Sequence, residues 1–502
     1  MSYKDANECL VGDQIEKNDH LRDTVKQTIE DTSNISSLKC LTYTPGVIFS
    51  PFTKKYNRII FADDTASGRP CKLIDQLIVD NINPYYSNTH SNATCGTMMK
   101  DYVNKTRDIV RTELNVQKNQ KVFFDGNGCT GAVNHLTNKI DLTRYRKIVV
   151  HTTPYEHHSN FLPWATMLQR HKELNPELNT SEHRVIDFDE TVSLMLDTYI
   201  EHLNDEIVNR DDVCKSDKSL RLDIFALSAC SNVTGRRYDL HYSNLWSYIK
   251  RMRSFQYNMY LILDYACSAP YVEMDLEMCD GCVFSGHKFL GGQSTPGVLI
   301  VNEDLVQTKI PYQQGGGCVV EADDTHTVYK DDKEMLEMCG TPNITGIIRF
   351  GYVLTLKRAL MRDILQSEAL IEKYATERFM ELEQKYPTFK VLGLEHRSDT
   401  DLPIYPIAIK GMHYNLITVL LNDMFGVQTR GGLSCSGTLG RVFKEMYGVD
   451  GWCRVSLNYL LTKREIDIVI KGIEYIIVHR KQLKKLYSYD SNKNMYMYGT
   501  NL

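Results

Sequence analysis

A lysine at the end of an apolar strand is the residue of this chain whose position most directly indicates chemistry. The segment Val283-Phe284 is followed by Ser285-Gly286-His287-Lys288, a small polar turn. A lysine amine can hold an aldehyde cofactor as a Schiff base, and the neighbouring hydroxyl and imidazole can donate hydrogen bonds to a phosphate. These residue types predict a site for pyridoxal 5'-phosphate, with Lys288 as the attachment point and then as the base that moves the substrate Cα proton.

A second apolar strand, Leu261-Ile262-Leu263-Asp264, ends in a carboxylate. A buried aspartate is costly unless it is paired, and a protonated pyridine nitrogen is a suitable partner that also makes the ring an electron sink. Polar residues also follow two further strands, at 155–160 and at 231–235. Four strand ends that deliver polar groups indicate one cofactor site.

A glycine-rich turn at residues 125–131 follows the apolar segment Val122-Phe123-Phe124. Small donors and open backbone amides at the start of a helix can bind a phosphate. Such a turn is a weak signal alone, and only the family resemblance described below assigns it to the phosphate.

The composition is that of an ordinary globular protein. The 502 residues carry a net charge of -5, and 24% of them are charged. This balance predicts no basic surface for nucleic acid, and no apolar run approaches the roughly 20 residues that a membrane-spanning helix needs. We therefore expect small molecules and other protein chains as partners.

The N-terminal residues and the cysteines give information about the cellular compartment of the protein. Residues 1–36 hold eight acidic and four basic side chains without an apolar core, which is unlike a secretory signal or an Arg-rich transit peptide. The 14 cysteines are expected to be free thiols rather than a disulfide framework. A cytoplasmic location is the resulting expectation.

The chain is long enough for two domains, because single cores stop growing at roughly 250 to 300 residues. We predict an N-terminal extension and lead-in over 1–57, and a large cofactor domain over 58–346 in which strands alternate with helices around a mostly parallel sheet. A polar insertion is expected at about 172–221. A smaller α+β domain follows over 347–486, and residues 487–502 are expected to be a loose tail.

The motifs and their order resemble the class V aminotransferase family, and within it the cysteine desulfurases and selenocysteine lyases. The resemblance covers roughly residues 58 to 480. It rests, in chain order, on Glu156-His157-His158-Ser159-Asn160 with Pro163-Trp164, Ser231-Asn232-Val233-Thr234-Gly235, Asp264, Ser285-Gly286-His287-Lys288, Gly340-Thr341-Pro342-Asn343, Arg430 with Cys435, and Cys453-Arg454-Val455-Ser456-Leu457. It implies a fold-type I α/β enzyme, with a seven-stranded, mostly parallel sheet and a smaller C-terminal α+β domain.

The resemblance also implies roles at the cofactor. His157 would stack on the ring, and Asn232 would meet the ring hydroxyl. The phosphate would be held by Thr130, the amide of Cys129, Ser285 and His287. Thr341 is similar to a family residue that reaches the phosphate of the neighbouring subunit, so the resemblance implies a homodimer.

Recognition of an amino acid requires a partner for its α-carboxylate. Arg454 is the candidate, because a guanidinium binds a carboxylate in a planar fork that lysine cannot reproduce. Arg430 and His90 match family residues near the substrate.

Cys435 distinguishes between reactions. It lies in the Gly- and Ser-rich segment 429–437, which predicts an exposed thiol on a flexible loop near cationic groups, a setting for nucleophilic attack. Cysteine desulfurases need such a thiol to take the sulfur of L-cysteine as a persulfide while alanine is released. A separate sulfur-acceptor protein would then be a partner.

Two alternatives stay open: an aminotransferase or other pyridoxal phosphate lyase, including a selenocysteine lyase, that acts on another amino acid, and a cofactor-binding scaffold without catalysis. Two departures from the family pattern bear on the substrate. Cys267 stands where similar desulfurases carry glutamine, and Asp64-Thr65 replace small alanines. The Cys279-Asp280-Gly281-Cys282 segment has no second such pair, so no metal site is expected.

Overall fold

The computed structural model describes residues 42–177, 181–186, 192–211, 217–238 and 244–499. Its α-helices are α1 (Lys72–Asn81), α2 (Thr94–Glu113), α3 (Gly128–Lys139), α4 (Leu162–Leu174), α5 (Val192–Asp205), α6 (Leu245–Ser254), α7 (Lys333–Leu336), α8 (Ile344–Lys385), α9 (Tyr414–Phe425), α10 (Gly437–Tyr447) and α11 (Lys463–Leu483). Its strands are β1 (Val47–Phe49), β2 (Tyr56–Arg58), β3 (Ile60–Phe61), β4 (Gln120–Asp125), β5 (Lys147–Thr152), β6 (Glu182–Val185), β7 (Arg221–Ser228), β8 (Asn258–Asp264), β9 (Gly281–Ser285), β10 (Gly297–Asn302), β11 (Val319–Ala322), β12 (Thr327–Tyr329), β13 (Phe389–Val391), β14 (Ile404–Ile409), β15 (Val427–Gln428), β16 (Arg430–Gly432), β17 (Trp452–Ser456), β18 (Tyr487–Asp490) and β19 (Met495–Tyr498).

The large sheet has seven strands in the order β4-β10-β9-β8-β7-β5-β6. Strands β6, β5, β7, β8 and β9 run parallel to one another, and β10 is antiparallel to both of its neighbours. The carboxyl ends of β4, β5, β7, β8 and β9 therefore meet at one edge, which is where open α/β sheets bind ligands. The predicted fold class, with its mostly parallel seven-stranded sheet, is confirmed.

The large sheet is buried on both faces, which explains its continuous apolar strands. On β7, Leu222, Ile224 and Ala226 belong to one hydrophobic cluster, whereas Phe225 and Leu227 belong to another on the opposite face. This alternation follows from the two-residue period of a strand. The same burial fixes the register in which each strand end delivers its polar residue.

A separate hydrophobic cluster, which we call the second cluster, surrounds the antiparallel sheet β13-β14-β17-β16; the clusters on the two faces of the large sheet together are the first. Helix α11 contributes Ile466, Val469 and Ile473 to it, and its N-cap, Thr462, forms a capping box with Glu465. The helix α8 joins the two clusters, since Ile347 packs in the first and Phe379 in the second. The predicted boundary at residue 346 thus falls within one continuous helix.

Two of the predicted segments take part in contacts that the sequence analysis did not anticipate. Strand β3 pairs with β15, and Ile60 packs in the second cluster, so the first residues of the predicted cofactor domain contact the other cluster. The predicted insertion at 172–221 contains β6, an edge strand of the large sheet, together with α5; its residues 178–180, 187–191 and 212–216 lie outside the described part, as do 1–41 of the predicted extension.

The predicted loose tail forms a hairpin instead. Strands β18 and β19 pair in antiparallel register, and the rings of Tyr489 and Tyr496 lie 4.9 Å apart across it. The ring of Tyr498 also lies 5.0 Å from that of Phe52. Aromatic cross-strand pairs of this kind stabilise a hairpin that composition alone describes as polar.

No helix of the described segments combines the length and the apolar character that crossing a membrane requires.

Candidate active site

A cavity of about 200 Å³ opens at the carboxyl edge of the large sheet. Ten of the residues predicted for the site line it: Cys129, Thr130, His157, Asn232, Asp264, Ser285, His287, Lys288, Arg430 and Arg454. Asp264 and Ser285 lie on the large sheet, Arg430 and Arg454 lie on the small sheet, and the other six lie on α3 or on segments that follow strands of the large sheet. The cavity therefore gathers the predicted cofactor and substrate residues around the half-buried side chain of Lys288.

Asp264 lies at the end of β8 in the wall of this cavity. Its Oδ1 atom accepts hydrogen bonds from the backbone N–H of Ala266 at 2.7 Å and from the Cys129 thiol at 3.4 Å. Burial raises the pKa of Asp264, although the nearby amine of Lys288 acts in the opposite direction. A cationic ring nitrogen at this position would supply the partner that a buried carboxylate requires.

The turn before α3 brings Gly128 against Ser285. Gly128 has a φ of +61°, and a Cβ atom there would lie 2.9 Å from Ser285 Oγ, so both the conformation and the space favour glycine. The N–H of Cys129 donates to Ser285 Oγ at 2.8 Å. The predicted phosphate contact of this amide is therefore already used within the protein, whereas the Ser285 hydroxyl proton stays available for an anion at the start of α3.

His157 follows β5, and its ring lines the cavity. Burial lowers the pKa of His157 to about 3, and the charges of Lys288 and nearby cations add to this effect. Its Nδ1 atom accepts from the N–H of Ser159 at 3.1 Å, so the neutral ring carries its proton on Nε2. An uncharged imidazole in this wall is suited to stack on an aromatic ring.

Glu156, next to His157, is fully buried, and both of its carboxylate oxygens accept hydrogen bonds. It accepts from Ser228 at 2.6 Å, Asn160 at 2.7 Å and Thr153 at 2.8 Å. Burial raises its pKa to about 7. The network fixes the backbone on which His157 stands, a role that the motif alone does not reveal.

Arg454 is 1% exposed and reaches the cavity from β17. Its guanidinium donates to the backbone oxygen of Asn232 at 2.9 Å and to Asp63 at 2.5 Å, while Nε has no partner among the described residues. Asp63 is a contact that the sequence analysis missed. It arises because the segment after β3 runs beside the end of β17, with Asp63 bridged to Ser456, a pairing that no local pattern indicates.

The residues that depart from the family pattern, Asp64-Thr65 and Cys267, differ in where they lie relative to the cavity. The Asp64 carboxylate is held by the Arg69 guanidinium through two bonds of 2.9 Å. Thr65, in contrast, lines the cavity. Cys267 also lines it, together with Cys230 and Ser228, which the sequence analysis did not assign to the site.

Cys435 lies beside the cavity, with its Sγ atom 3.2 Å from Arg430 Nη2. The predicted flexible loop is not what the structure has, because Gly431 and Gly432 belong to β16 and pair with Cys453 and Trp452. We name residues 433–436 the thiol loop. Ser434 and Ser436 are buried, and Ser434 and Cys435 have φ angles of 52° and 57°. Residues with side chains rarely hold this conformation unless the surroundings impose it.

His90 and Thr341 lie away from the cavity around Lys288. His90 Nε2 is 2.8 Å from the Gly340 oxygen, and Asn88 donates to Thr341 Oγ1 at 2.9 Å. His90 instead lines a second cavity, of about 170 Å³. Within one chain, therefore, neither residue reaches the site for which it was predicted.

The residues of the main cavity fit pyridoxal 5'-phosphate. Asp264 is a buried carboxylate that requires a cation, the hydroxyls of Ser285 and Thr130 line the cavity where an anion would bind, and Lys288 provides the amine. Together with the seven-stranded sheet, this donor set defines a fold-type I pyridoxal phosphate-dependent enzyme.

A family model, aminotransferase class-V, matches residues 60–469. The chain belongs to this family, whose enzymes depend on pyridoxal phosphate. Among curated proteins it is similar to a probable cysteine desulfurase of Borreliella burgdorferi, with 25% identity over 458 residues that cover 89% of this chain and 97% of that protein. It is also similar to a cysteine desulfurase of Wigglesworthia glossinidia brevipalpis, with 27% identity and coverage of 85% and 95%.

Solved structures show the same fold. The apo structure of a cysteine desulfurase from Thermococcus onnurineus NA1 gives a TM-score of 0.66 at 20% identity, covering 84% of this chain and 95% of that chain. The cysteine desulfurase CsdA from Escherichia coli gives a TM-score of 0.63 at 20% identity, with coverage of 83% and 94%.

Proposed function

We propose that this protein is a cysteine desulfurase, which takes the sulfur of L-cysteine as a persulfide on Cys435 and releases alanine. The observation that carries the proposal is the 3.2 Å contact between Cys435 Sγ and Arg430 Nη2, because Arg430 also lines the cavity that holds Lys288. The guanidinium of Arg430 donates to this sulfur and so holds it beside that cavity. The names of the curated relatives support the same reaction.

When bound, pyridoxal phosphate supplies an electron sink for bonds next to the substrate amine. In our proposal Lys288 holds the cofactor and then moves the Cα proton, while Asp264 keeps a proton on the ring nitrogen. Ser285, His287 and Thr130 bind the phosphate. His157 and Asn232 orient the ring, and Arg454 binds the substrate carboxylate with help from Arg430.

The sulfur step is balanced without an external oxidant. The Cys435 thiolate attacks the substrate sulfur, and the bond between that sulfur and the substrate Cβ breaks. The sulfur remains on Cys435 as a persulfide, and Cβ takes up a proton. One thiol and one cysteine thus give one persulfide and one alanine.

The test is incubation of the purified protein with L-cysteine and measurement of alanine, of sulfide after addition of a thiol reductant, and of one added sulfur atom on the peptide that contains Cys435. Cys435→Ala should lose the persulfide and the sulfide by orders of magnitude, while the cofactor absorbance still shifts on addition of cysteine. Cys95→Ala is a matched control, since Cys95 is also half-buried but lies on α2, outside the cavity.

Other outcomes distinguish the alternatives. Sulfide release from Cys435→Ala at the parent rate would exclude Cys435 as the nucleophile. A parent that ignores cysteine but converts another amino acid with an oxo acid would be an aminotransferase, and a preference for selenocysteine would indicate a selenocysteine lyase. A protein that binds the cofactor and converts no amino acid would be a scaffold.

We further propose a homodimer, in which His90 and Thr341 serve the cavity of the neighbouring subunit, and a sulfur-acceptor protein that receives the persulfide. The position of both residues outside their own cavity supports the first part. Sedimentation should give twice the chain mass. Mixing His90→Ala with Lys288→Ala chains should restore part of the activity, because one cavity of the mixed dimer is then intact.

A cytoplasmic location stays a prediction.

A further inference from the structure

Two buried cysteines that the proposed reaction does not use line the cofactor cavity. Cys230 follows β7 and Cys267 follows β8, and they are 2% and 4% exposed. Strands β7 and β8 are hydrogen-bonded neighbours with Ser228 opposite Asp264, so the two segments leave the sheet side by side. The two thiols therefore share one stretch of the wall beside Lys288 and Asp264.

The sulfur atoms converge on the same backbone group. Cys230 Sγ and Cys267 Sγ each lie 3.7 Å from the oxygen of Ser231, and Cys230 Sγ also lies 3.3 Å from the oxygen of Gly235. Two thiols that share one backbone acceptor need little backbone movement to reach bonding distance, in contrast to cysteines held far apart.

The electrostatic surroundings make the two thiols unequal. The interaction with Cys230 lowers the pKa of Cys267 against the effect of burial, and the positive charges of Lys288 and Arg454 act in the same direction. Burial raises the pKa of Cys230, and its contact with Cys267 adds to this. Cys267 is thus the better nucleophile of the pair, and Cys230 the proton donor.

We propose that Cys230 and Cys267 form an oxidisable thiol pair, which closes to a disulfide in the wall of the cofactor cavity on reaction with hydrogen peroxide. The Cys267 thiolate attacks one peroxide oxygen, the O–O bond breaks, and the leaving hydroxide becomes water. The Cys230 sulfur then attacks the oxidised Cys267 sulfur and displaces a second water. Two thiols lose two protons and two electrons, and one peroxide becomes two waters.

The other cysteines near the cavity are less suited to this reaction. The Cys129 thiol donates to Asp264 at 3.4 Å, and burial together with this carboxylate raises its pKa well above the usual value. Cys435 contacts Arg430 rather than a second thiol. Oxidation of Cys435 alone would give a sulfenic acid, or a sulfinic or sulfonic acid on further oxidation. None of these products links two segments of the chain.

Tryptic mapping of the peroxide-treated, cofactor-loaded protein tests the pair. Cys230 is the single cysteine of the peptide 222–236, whereas Cys267 shares the peptide 254–288 with Cys279 and Cys282. After blocking of free thiols and digestion without reductant, we expect these two peptides to be linked. The link should be at least tenfold more abundant than in untreated protein and should disappear on reduction.

Serine variants locate the bond. Cys230→Ser and Cys267→Ser should abolish the linked peptide, whereas Cys279→Ser and Cys282→Ser, the matched controls on the same peptide, should retain it. Fragment ions of the parent's linked peptide assign the sulfur even if a variant fails to fold. Free, alkylated Cys230 and Cys267 after peroxide treatment, or a link that persists in Cys267→Ser, would overturn the proposal. The readout is a mass and not an activity, so it is independent of the proposed desulfurase reaction.

Discussion

The cofactor floor, which we define as Asp264, Ser285 and Lys288, and the thiol loop around Cys435 are assembled by different contacts. Asp264 ends β8 and pairs with Val283 of β9, two residues before Ser285, so neighbouring strands of one sheet set the floor. The thiol loop is held by hydrogen bonds to residues that lie 202 or more positions away in the sequence. The N–H of His158 donates to the Cys435 oxygen at 2.8 Å, and Asn232 Nδ2 donates to the Ser434 oxygen at 2.9 Å.

This difference indicates which changes each region tolerates. The cofactor floor depends on the strand register of a sheet that is buried on both faces. Its geometry should therefore survive substitutions in the second cluster. The thiol loop depends on how the second cluster docks on the large sheet. Changes at the floor should therefore affect cofactor binding, whereas changes at the loop should affect the thiol and leave the cofactor in place.

The largest effect is expected at the floor. Lys288→Ala should remove the covalent attachment of the cofactor and lower activity by about 10³-fold or more, because the acid–base function is lost with it. Borohydride reduction followed by mass spectrometry should show cofactor trapped on the parent at Lys288 and none on the variant. The exposed Lys309→Ala should behave as the parent. If the reduced cofactor is found on another lysine of the parent, that lysine and not Lys288 is the attachment point.

Arg454→Ala should weaken amino-acid binding by roughly 2 to 4 kcal/mol, or roughly 30- to 700-fold, the range for the loss of a charged hydrogen-bonding partner. Arg454→Lys keeps a charge opposite Asp63 and should lose part of the affinity, because an ammonium lacks the planar fork. Titration of the cofactor absorbance with substrate measures both. If Arg454→Ala binds the amino acid with unchanged affinity, Arg430 rather than Arg454 binds the substrate carboxylate.

Glu156 connects the two regions, since its backbone oxygen accepts from Ser436 Oγ at 3.2 Å. Its pKa is about 7 in the folded protein against an ordinary 4.5. The native state therefore binds the proton more tightly, and this contribution to stability is full below pH 4.5 and is lost as the pH rises through 7. It amounts to about 3 kcal/mol.

Urea unfolding of the parent and of Glu156→Gln between pH 4.5 and 8 checks this. The free energy of unfolding of the variant should fall less steeply with pH than that of the parent. The exposed Glu377→Gln should keep the parent slope. Identical slopes for all three proteins would show that Glu156 titrates normally.

The smallest effect is expected in the thiol loop. Trp452 Nε1 donates to Ser434 Oγ at 3.1 Å, so Ser434→Ala removes one anchor and should lower the free energy of unfolding by about 1 kcal/mol. Sulfide release should slow while the cofactor spectrum stays unchanged. Ser294→Ala is the matched control, because Ser294 also has a positive φ, of 64°, and lies outside the loop. A spectral change in Ser434→Ala would contradict the separation of the two regions.

Local patterns predicted much of the fold. The apolar runs that end in Asp264 and Ser285 correspond to β8 and β9, because strands buried on both faces read as continuous apolar sequence. The capping box at Thr462 marks the start of α11. Patterns failed where tertiary contacts outweigh composition: the polar end of the chain forms a hairpin, and Gly431 and Gly432 are held in β16 by their pairing with β17.

The sequence by itself determined the residue types at the strand ends, and with them the cofactor chemistry, because one strand and its turn specify both a side chain and its place at the sheet edge. Only the tertiary structure decided the partners of those residues. Arg454 donates to Asp63, and Cys230 lies beside Cys267; each pair joins segments that no sequence periodicity places together. The positive φ angles of the thiol loop are likewise imposed by its surroundings. Packing of the two clusters, rather than any motif, brings these segments together.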